Sequence, residues 1–256
     1  MLSVATLAAL ALLCCVHLFV GKLRLLDRSQ GIWKSAAGGA GIAYTFLILL
    51  PKVASAQTVL EQATASGFYG FLVHHSYLVG LAGLVVYYGM DAAVAGVLVQ
   101  PDRRSWPPAV RVLVYAHASV LSGYYFLVGY LMWGDRGAGY VGYVLLGMFA
   151  LAMVLHCAAI DHSLRKKYGG IYDPFLRWTF VAATTGGWVV ASTTEISYTA
   201  LALLNSLFAG ALVAFTFKEK IPGSESLRVW PFVAGAGGYA LLLLIIEMFD
   251  KVWTQP

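Results

Sequence analysis

The sequence predicts an all-α, polytopic membrane helix bundle of about eight transmembrane helices, a single transmembrane domain over residues 1–256 with both termini outside. Three observations carry this: composition, the recurrence of long apolar runs, and the sidedness of charge. Hydrophobic residues make up 60% of the chain and charged residues 11%, with a mean hydropathy of +0.75. Soluble domains carry about 25% charged residues, so this chain has too little charge to coat a water-facing surface. Soluble enzymes, disulfide scaffolds and disordered chains are disfavoured together. The net charge of +5 marks cytoplasmic loops in a chain this apolar, and no nucleic-acid partner is expected. Cys14, Cys15 and Cys157 lie in apolar runs and supply neither a disulfide framework nor zinc-ribbon spacing.

A membrane helix needs roughly 20 mostly apolar residues. Eight stretches qualify: Leu2–Lys22, Ala36–Ala56, Gly67–Met90, Ala109–Trp133, Tyr140–Ile160, Leu176–Ser192, Tyr198–Phe217 and Pro231–Phe249. The third has an apolar continuation toward Val99. The first lacks a basic leader and a small-residue cleavage site, so it reads as a mature span rather than a signal peptide. Fourteen Lys and Arg fall in the connections after odd-numbered spans: Lys22, Arg24, Arg28 and Lys34; Arg103, Arg104 and Arg111; Arg165, Lys166, Lys167 and Arg177; Lys218, Lys220 and Arg228. Only Lys52, Arg136 and Lys251 fall on the opposite side. Basic residues in short loops stay cytoplasmic, which puts both termini outside and agrees with the count of eight. The expected location is the bacterial inner (cell) membrane.

The connections are too short for a soluble domain. Small residues cluster at Ala36–Gly41, Gly186-Gly187 and Gly235–Gly238, where close helix crossings in lipid want them; a glycine-lined substrate path is the other reading.

Ionisable groups in spans are costly and face bundle interiors or cavities. His17, His117 and His156 fall in the inner half of their spans. Asp161 and His162 follow at the cytoplasmic end of span five, and Asp91 ends span three. His74 and His75 form a possible outer polar layer on span three. Imidazole suits zinc, iron or copper, and a first-row site wants three or four ligands. His117, His156, Asp161 and His162 are therefore the candidate metal ligands, with Asp91 as an alternative carboxylate. Each histidine can equally serve as a helix-to-helix hydrogen bond. His156 and Asp161 are five residues apart, so they do not share one helix face. The run from His156 to Tyr168 passes into a basic loop, as an interfacial anchor or an ion entrance. Asp173-Pro174 can then cap and start the next helix. Asn205 is expected to hydrogen-bond a neighbouring helix. No Asp or Glu lies near the centre of any span, where a carboxylate relay normally has one.

Two stretches resemble the ZIP family of divalent-metal transporters. Gly39-Ala-Gly-Ile-Ala-Tyr-Thr-Phe-Leu-Ile48-Leu-Leu-Pro51-Lys52 is similar to that family's glycine-rich helix ending in a segment of the type HLLPE. Phe217-Lys-Glu-Lys-Ile-Pro222 and the following span with Gly235 and Gly237-Gly238 resemble its final loop and helix. Eight spans with both termini outside is also the ZIP topology. The resemblance implies an eight-helix bundle, a metal path between helices four and five, and often a dimer. The chain departs from it at Ile48 and Lys52, where the family has His and Glu. Of the helix-four motif HNxxDG it keeps His117; of the helix-five motif HExxHE it keeps His156 and a displaced Asp161-His162. His74–Gly89, with Asp161–Arg165 and Tyr172-Asp173-Pro174, also resembles uncharacterised bacterial eight-helix membrane proteins, a likeness that implies no activity.

Three functions follow as expectations. The first is transport or channelling of a divalent transition metal, zinc or iron, through a ZIP-like architecture. The second is a non-transporting structural or regulatory subunit, in a homodimer or a larger membrane complex. The third is an intramembrane lipid enzyme using His74-His75 and Asp161-His162, disfavoured because these lie on opposite halves and acid–base groups must meet. An enzyme is thus not the expectation. No P-loop and no retinal-binding lysine on span seven is present, which disfavours nucleotide-driven pumping and a rhodopsin.

Overall fold

The computed structural model describes residues 2–22, 30–61, 67–97, 107–133, 140–220 and 228–254, and among these the chain is helical with no strand. The helices are α1 (Leu2–Phe19), α2 (Gln30–Tyr44), α3 (Leu50–Leu60), α4 (Gly67–Val73), α5 (Ser76–Val97), α6 (Pro108–Trp133), α7 (Tyr140–Tyr168), α8 (Arg177–Thr193), α9 (Tyr198–Lys220) and α10 (Val229–Thr254). Five described stretches are long and apolar enough to cross a membrane: Val4–Lys22, Gly38–Ser55, Ser76–Val94, Pro108–Trp133 and Tyr198–Phe215; Val229–Ile245 is a shorter apolar stretch. Val4, Leu81, Val85, Val112 and Trp230 point outward and are exposed, as side chains facing lipid would be. The helices thus suit a membrane-embedded protein.

Local chemistry explains where the elements depart from the apolar runs. The fifth run ends at Ile160, yet α7 continues to Tyr168. Arg165, Lys166 and Lys167 in its last turn favour the negative end of the helix dipole, and Gly169, at φ +48°, stops it in the left-handed conformation that glycine adopts cheaply. Glycine, not loss of hydrophobicity, sets this end. The third run is interrupted at His74-His75, between α4 and α5. Gln57 closes the break. Its Oε1 accepts from the Ser76 backbone N–H at 2.8 Å and from the Ser76 hydroxyl at 2.6 Å, while its Nε2 donates to the His74 carbonyl at 2.8 Å. Two wide π turns lie at prolines: Thr45–Leu49 joins α2 to α3 just before Pro51, and Tyr172–Leu176 contains Pro174 and leads into α8. Proline has no N–H to donate and its ring crowds the carbonyl four residues back; a wider turn accommodates both.

The chain forms two compact units. The first comprises Met1–Arg24 and Gly89–Ile196, the second Leu25–Tyr88 and Ser197–Pro256. In the first unit α6 packs along α8, and α1 packs against α7 and α8. Leu13, Tyr125, Met132, Met153, Ile160, Tyr172, Leu176 and Phe180 fill its interior. In the second, α2 packs along α10, and α9 packs on α2 and α3.

Each unit has a crossing so close that a methyl group would not fit. A Cβ on Gly129 would stand 2.0 Å from the Thr184 carbonyl oxygen, and one on Gly187 would stand 1.9 Å from the Phe126 carbonyl. These two glycines make α6 and α8 meet reciprocally. Gly39 against Phe232 and Gly235 against Ala36 do the same for α2 and α10, both at 2.0 Å. Packing and weak Cα–H···O contacts drive helix association in lipid, and the Gly235 and Gly187 clusters serve that purpose here.

Candidate functional site

The polar side chains of the first unit gather into two buried centres. The inward stripe of α7 explains the first: Met153, Cys157, Asp161, Leu164 and Tyr168 recur at spacings of four or three and are all buried. Asp161 therefore faces the interior. On α6, His117, Leu121, Tyr125 and Gly129 follow at four-residue steps and line the facing stripe.

In the first centre Asp161 Oδ2 meets His17 Nδ1 at 2.5 Å, and Asp161 Oδ1 accepts from the Tyr125 hydroxyl at 2.5 Å. His17 Nε2 lies 3.3 Å from the Thr184 hydroxyl oxygen, which also bonds the Phe180 carbonyl at 2.9 Å. His17, Asp161 and Thr184 are fully buried. The Tyr125 ring stands edge-on to His17 at 4.5 Å and packs on Phe180 at 4.7 Å. This aromatic casing excludes water, and a charge is tolerated there only when paired and hydrogen-bonded.

The proton count of this centre is informative. An ionised Asp161 can only accept, so His17 Nδ1 carries a proton. Thr184 has one hydroxyl proton and two neighbours to give it to. If it goes to His17, Nε2 accepts and the imidazole is neutral; if it goes to Phe180, the Thr184 oxygen can accept from a protonated Nε2. Rotating one hydroxyl thus accommodates two states that differ by one proton. The hydroxyl–imidazole–carboxylate order is also that of an activated nucleophile. Thr184, however, is enclosed and has no face open to a substrate.

The second centre joins α5, α6 and α7. The Lys167 ammonium donates to the Asp91 carboxylate and, at 3.2 Å, to the Asp91 carbonyl. His117 Nδ1 is hydrogen-bonded to the Tyr168 hydroxyl, and His117 Nε2 lies 3.9 Å from Asp91 Oδ1. Asp91 and His117 are buried.

Of the expected ligands, Asp161 and His117 fall in separate centres. His156 is buried beside the Tyr124 ring at 6.0 Å. Tyr124 lies seven residues beyond His117, about 10 Å along the axis, so the two histidines stand at different levels. His162 is half-buried next to Asp161. Among the described residues no three His, Cys, Asp or Glu side chains are grouped to hold a metal. His74 and His75 are exposed in the second unit, where His75 stacks on Phe71 at 4.2 Å and its Nδ1 bonds the Phe71 carbonyl. Asn205 is half-buried on α9.

His17 is an inner-half histidine outside the expected ligand set, Lys167 and Tyr168 belong to the run expected as an interfacial anchor or ion entrance, and Tyr125 and Thr184 carry no expectation from the sequence. The four-residue stripe from His117 through Tyr125 to Gly129 was the signal available for Tyr125. Nothing local in α1 or α8 pairs His17 with Thr184.

Outside the spans, Arg165 grips Asp173 through Nε–Oδ1 and Nη2–Oδ2 contacts of 2.9 Å each. Those hydrogen bonds hold the Asp173 carboxyl below its ordinary value. Gly21 leaves the room this needs: a Cβ there would come within 2.6 Å of the Arg165 guanidinium. No family model, characterised protein or solved structure matches the chain.

Proposed function

We propose that the chain is an eight-span protein of the bacterial inner membrane, with both termini outside and a ZIP-like architecture, that moves a divalent transition-metal cation, zinc or iron, while the His17–Asp161 centre exchanges protons. One observation carries this reading: Asp161 and Asp91 are buried among apolar helices, each beside a histidine. Ionisable groups in such surroundings are expensive and mark ion or proton pathways. His117 on α6 and His156 on α7, beside Tyr124, stand at different levels and would serve as successive ligands rather than a shared one. The test is metal uptake into proteoliposomes carrying an entrapped metal indicator and a pH dye. The wild-type chain should take up zinc or iron with a proton signal, and Asp161→Asn should abolish both. Uptake no faster than in protein-free vesicles, or unaffected by Asp161→Asn, refutes the proposal.

A second reading is a non-transporting subunit, in which the centres fasten helices together. It is favoured by the engagement of both Asp161 oxygens by residues of other helices. It predicts a metal-free protein that co-purifies with membrane partners.

A further inference from the structure

We propose that the Asp91 carboxylate, the Asp91 carbonyl and His117 form a divalent-cation site that Lys167 fills with its own ammonium, so that an arriving metal ion binds by displacing the lysine. The inference takes its substrate class from the transport reading above, but it concerns a different centre from the proton-exchanging one.

Four observations converge on it. First, Lys167 donates both to the carboxylate and to the backbone carbonyl of one residue, Asp91. Carboxylate and carbonyl oxygens are what hard and borderline cations seek; the ammonium occupies a place that a metal could take. Second, His117 Nε2 and Asp91 Oδ1 are 3.9 Å apart. Zinc binds imidazole nitrogen and carboxylate oxygen at about 2.0–2.2 Å each, so a single ion fits between these two atoms without rearranging them. Third, the Tyr168 hydroxyl holds His117 Nδ1. When Nδ1 is the donor, Nε2 carries the lone pair on the Asp91 side, and an outer hydrogen bond of this kind fixes the tautomer of ligating histidines. Fourth, the Lys167 side chain is 16% exposed against 5% for Asp91. The lysine therefore covers the carboxylate from the more accessible side, and its flexible stem can swing the ammonium outward.

The mixed nitrogen and oxygen donors select first-row divalent ions over magnesium or calcium. Lysine occupancy also solves an electrostatic problem of the metal-free state. A buried carboxylate without a counter-ion is costly, and a tethered cation satisfies Asp91 between binding events while remaining displaceable.

The test is binding by the purified full-length protein in detergent, followed by cobalt(II) absorption and by calorimetry with zinc chloride. Lys167→Met should bind one ion roughly tenfold or more tightly than wild type, since the resident competitor is gone and Asp91 lacks its partner. Adding Asp91→Asn or His117→Ala to that variant should remove the gain, and Lys167→Arg should stay at the wild-type level. Equal affinity in Lys167→Met and wild type, or a gain that survives Asp91→Asn, overturns the proposal. If Lys167→Met does not fold, the wild-type chain decides: acetylation of Lys167, read by mass spectrometry, should rise with added zinc while that of exposed Lys166 does not. Unchanged Lys167 labelling refutes displacement. Binding here without vesicle uptake would count against transport alone, and uptake without binding here against this site alone.

Discussion

Gly186 and Gly187 are adjacent on α8, yet a methyl group should have opposite effects at the two. At Gly187 an added Cβ would lie 1.9 Å from the Phe126 carbonyl oxygen and 2.9 Å from the Tyr130 backbone nitrogen. Both are backbone atoms, so no rotamer can relieve the clash. Carbon–oxygen contacts between packed helices run at about 3.3–3.6 Å, and α6 and α8 would have to separate by more than about 1 Å. Overpacking of this kind costs about 1–3 kcal/mol. At Gly186 the nearest atoms are Phe126 ring carbons at 3.9 and 4.0 Å, an ordinary contact, and alanine there gains about 0.5–1 kcal/mol from the lower cost of ordering a helical residue. The two variants should therefore differ by about 1.5–4 kcal/mol. At about 2–4 °C per kcal/mol for a chain of this size, their melting temperatures in one detergent should lie roughly 3–16 °C apart, Gly187→Ala below wild type and Gly186→Ala at or above it. Equal shifts of the same sign would show that α6 and α8 do not cross at Gly187.

Removing one partner of a buried ion pair costs about 3–5 kcal/mol, whereas replacing both with apolar residues costs far less; His17→Leu and Asp161→Leu should each lower stability strongly, and thermal melts should find the double variant more stable than the sum of the singles. Asp173 titrates below its ordinary value of 3.8 because Arg165 hydrogen-bonds it, so its contribution is present above that pH and is lost as pH falls through the lower folded value. Melting curves of wild type and Asp173→Asn should favour wild type near pH 6 and converge toward pH 3, and parallel curves would exclude the pair as a source of acid sensitivity. The proposed topology, with both termini outside, predicts that a carboxy-terminal alkaline phosphatase fusion is active and a green fluorescent protein fusion dark; the reverse pattern would overturn it.

The helical class and most helix positions were legible in the sequence because length and hydropathy set them locally. The Leu176–Ser192 run and α8, Arg177–Thr193, nearly coincide. The interruption at His74-His75 was not legible, since the side chain that closes it, Gln57, lies nearly twenty residues away. The candidate site divides in the same way. His117, His156 and Asp161 stood out as ionisable residues near apolar runs, and their type alone was enough to flag them. Their partners were hidden because His17 and Asp161 are 144 residues apart, and Thr184 and His17 are 167 apart. The neighbours of Asp161, His162 and a basic run, say nothing of which way it faces; the buried stripe from Met153 to Tyr168 turns it inward.

The wide turn at Tyr172–Leu176 sets the rotational phase of α8. Each residue advances an α-helix by about 100°, and a turn closed over five residues holds one residue more than an α-turn. In it the Arg177 N–H reaches back to the Tyr172 carbonyl. Everything downstream is offset by that single residue: Thr184 meets His17, Gly187 meets Phe126, and both depend on the same count. Deleting one residue between Tyr172 and Leu176 would turn Thr184 about 100° away from the imidazole and carry Gly187 off the crossing. A one-residue change in length between α7 and α8 thus acts on the His17–Asp161 centre and on the close α6–α8 crossing together, like a gear slipped by one tooth.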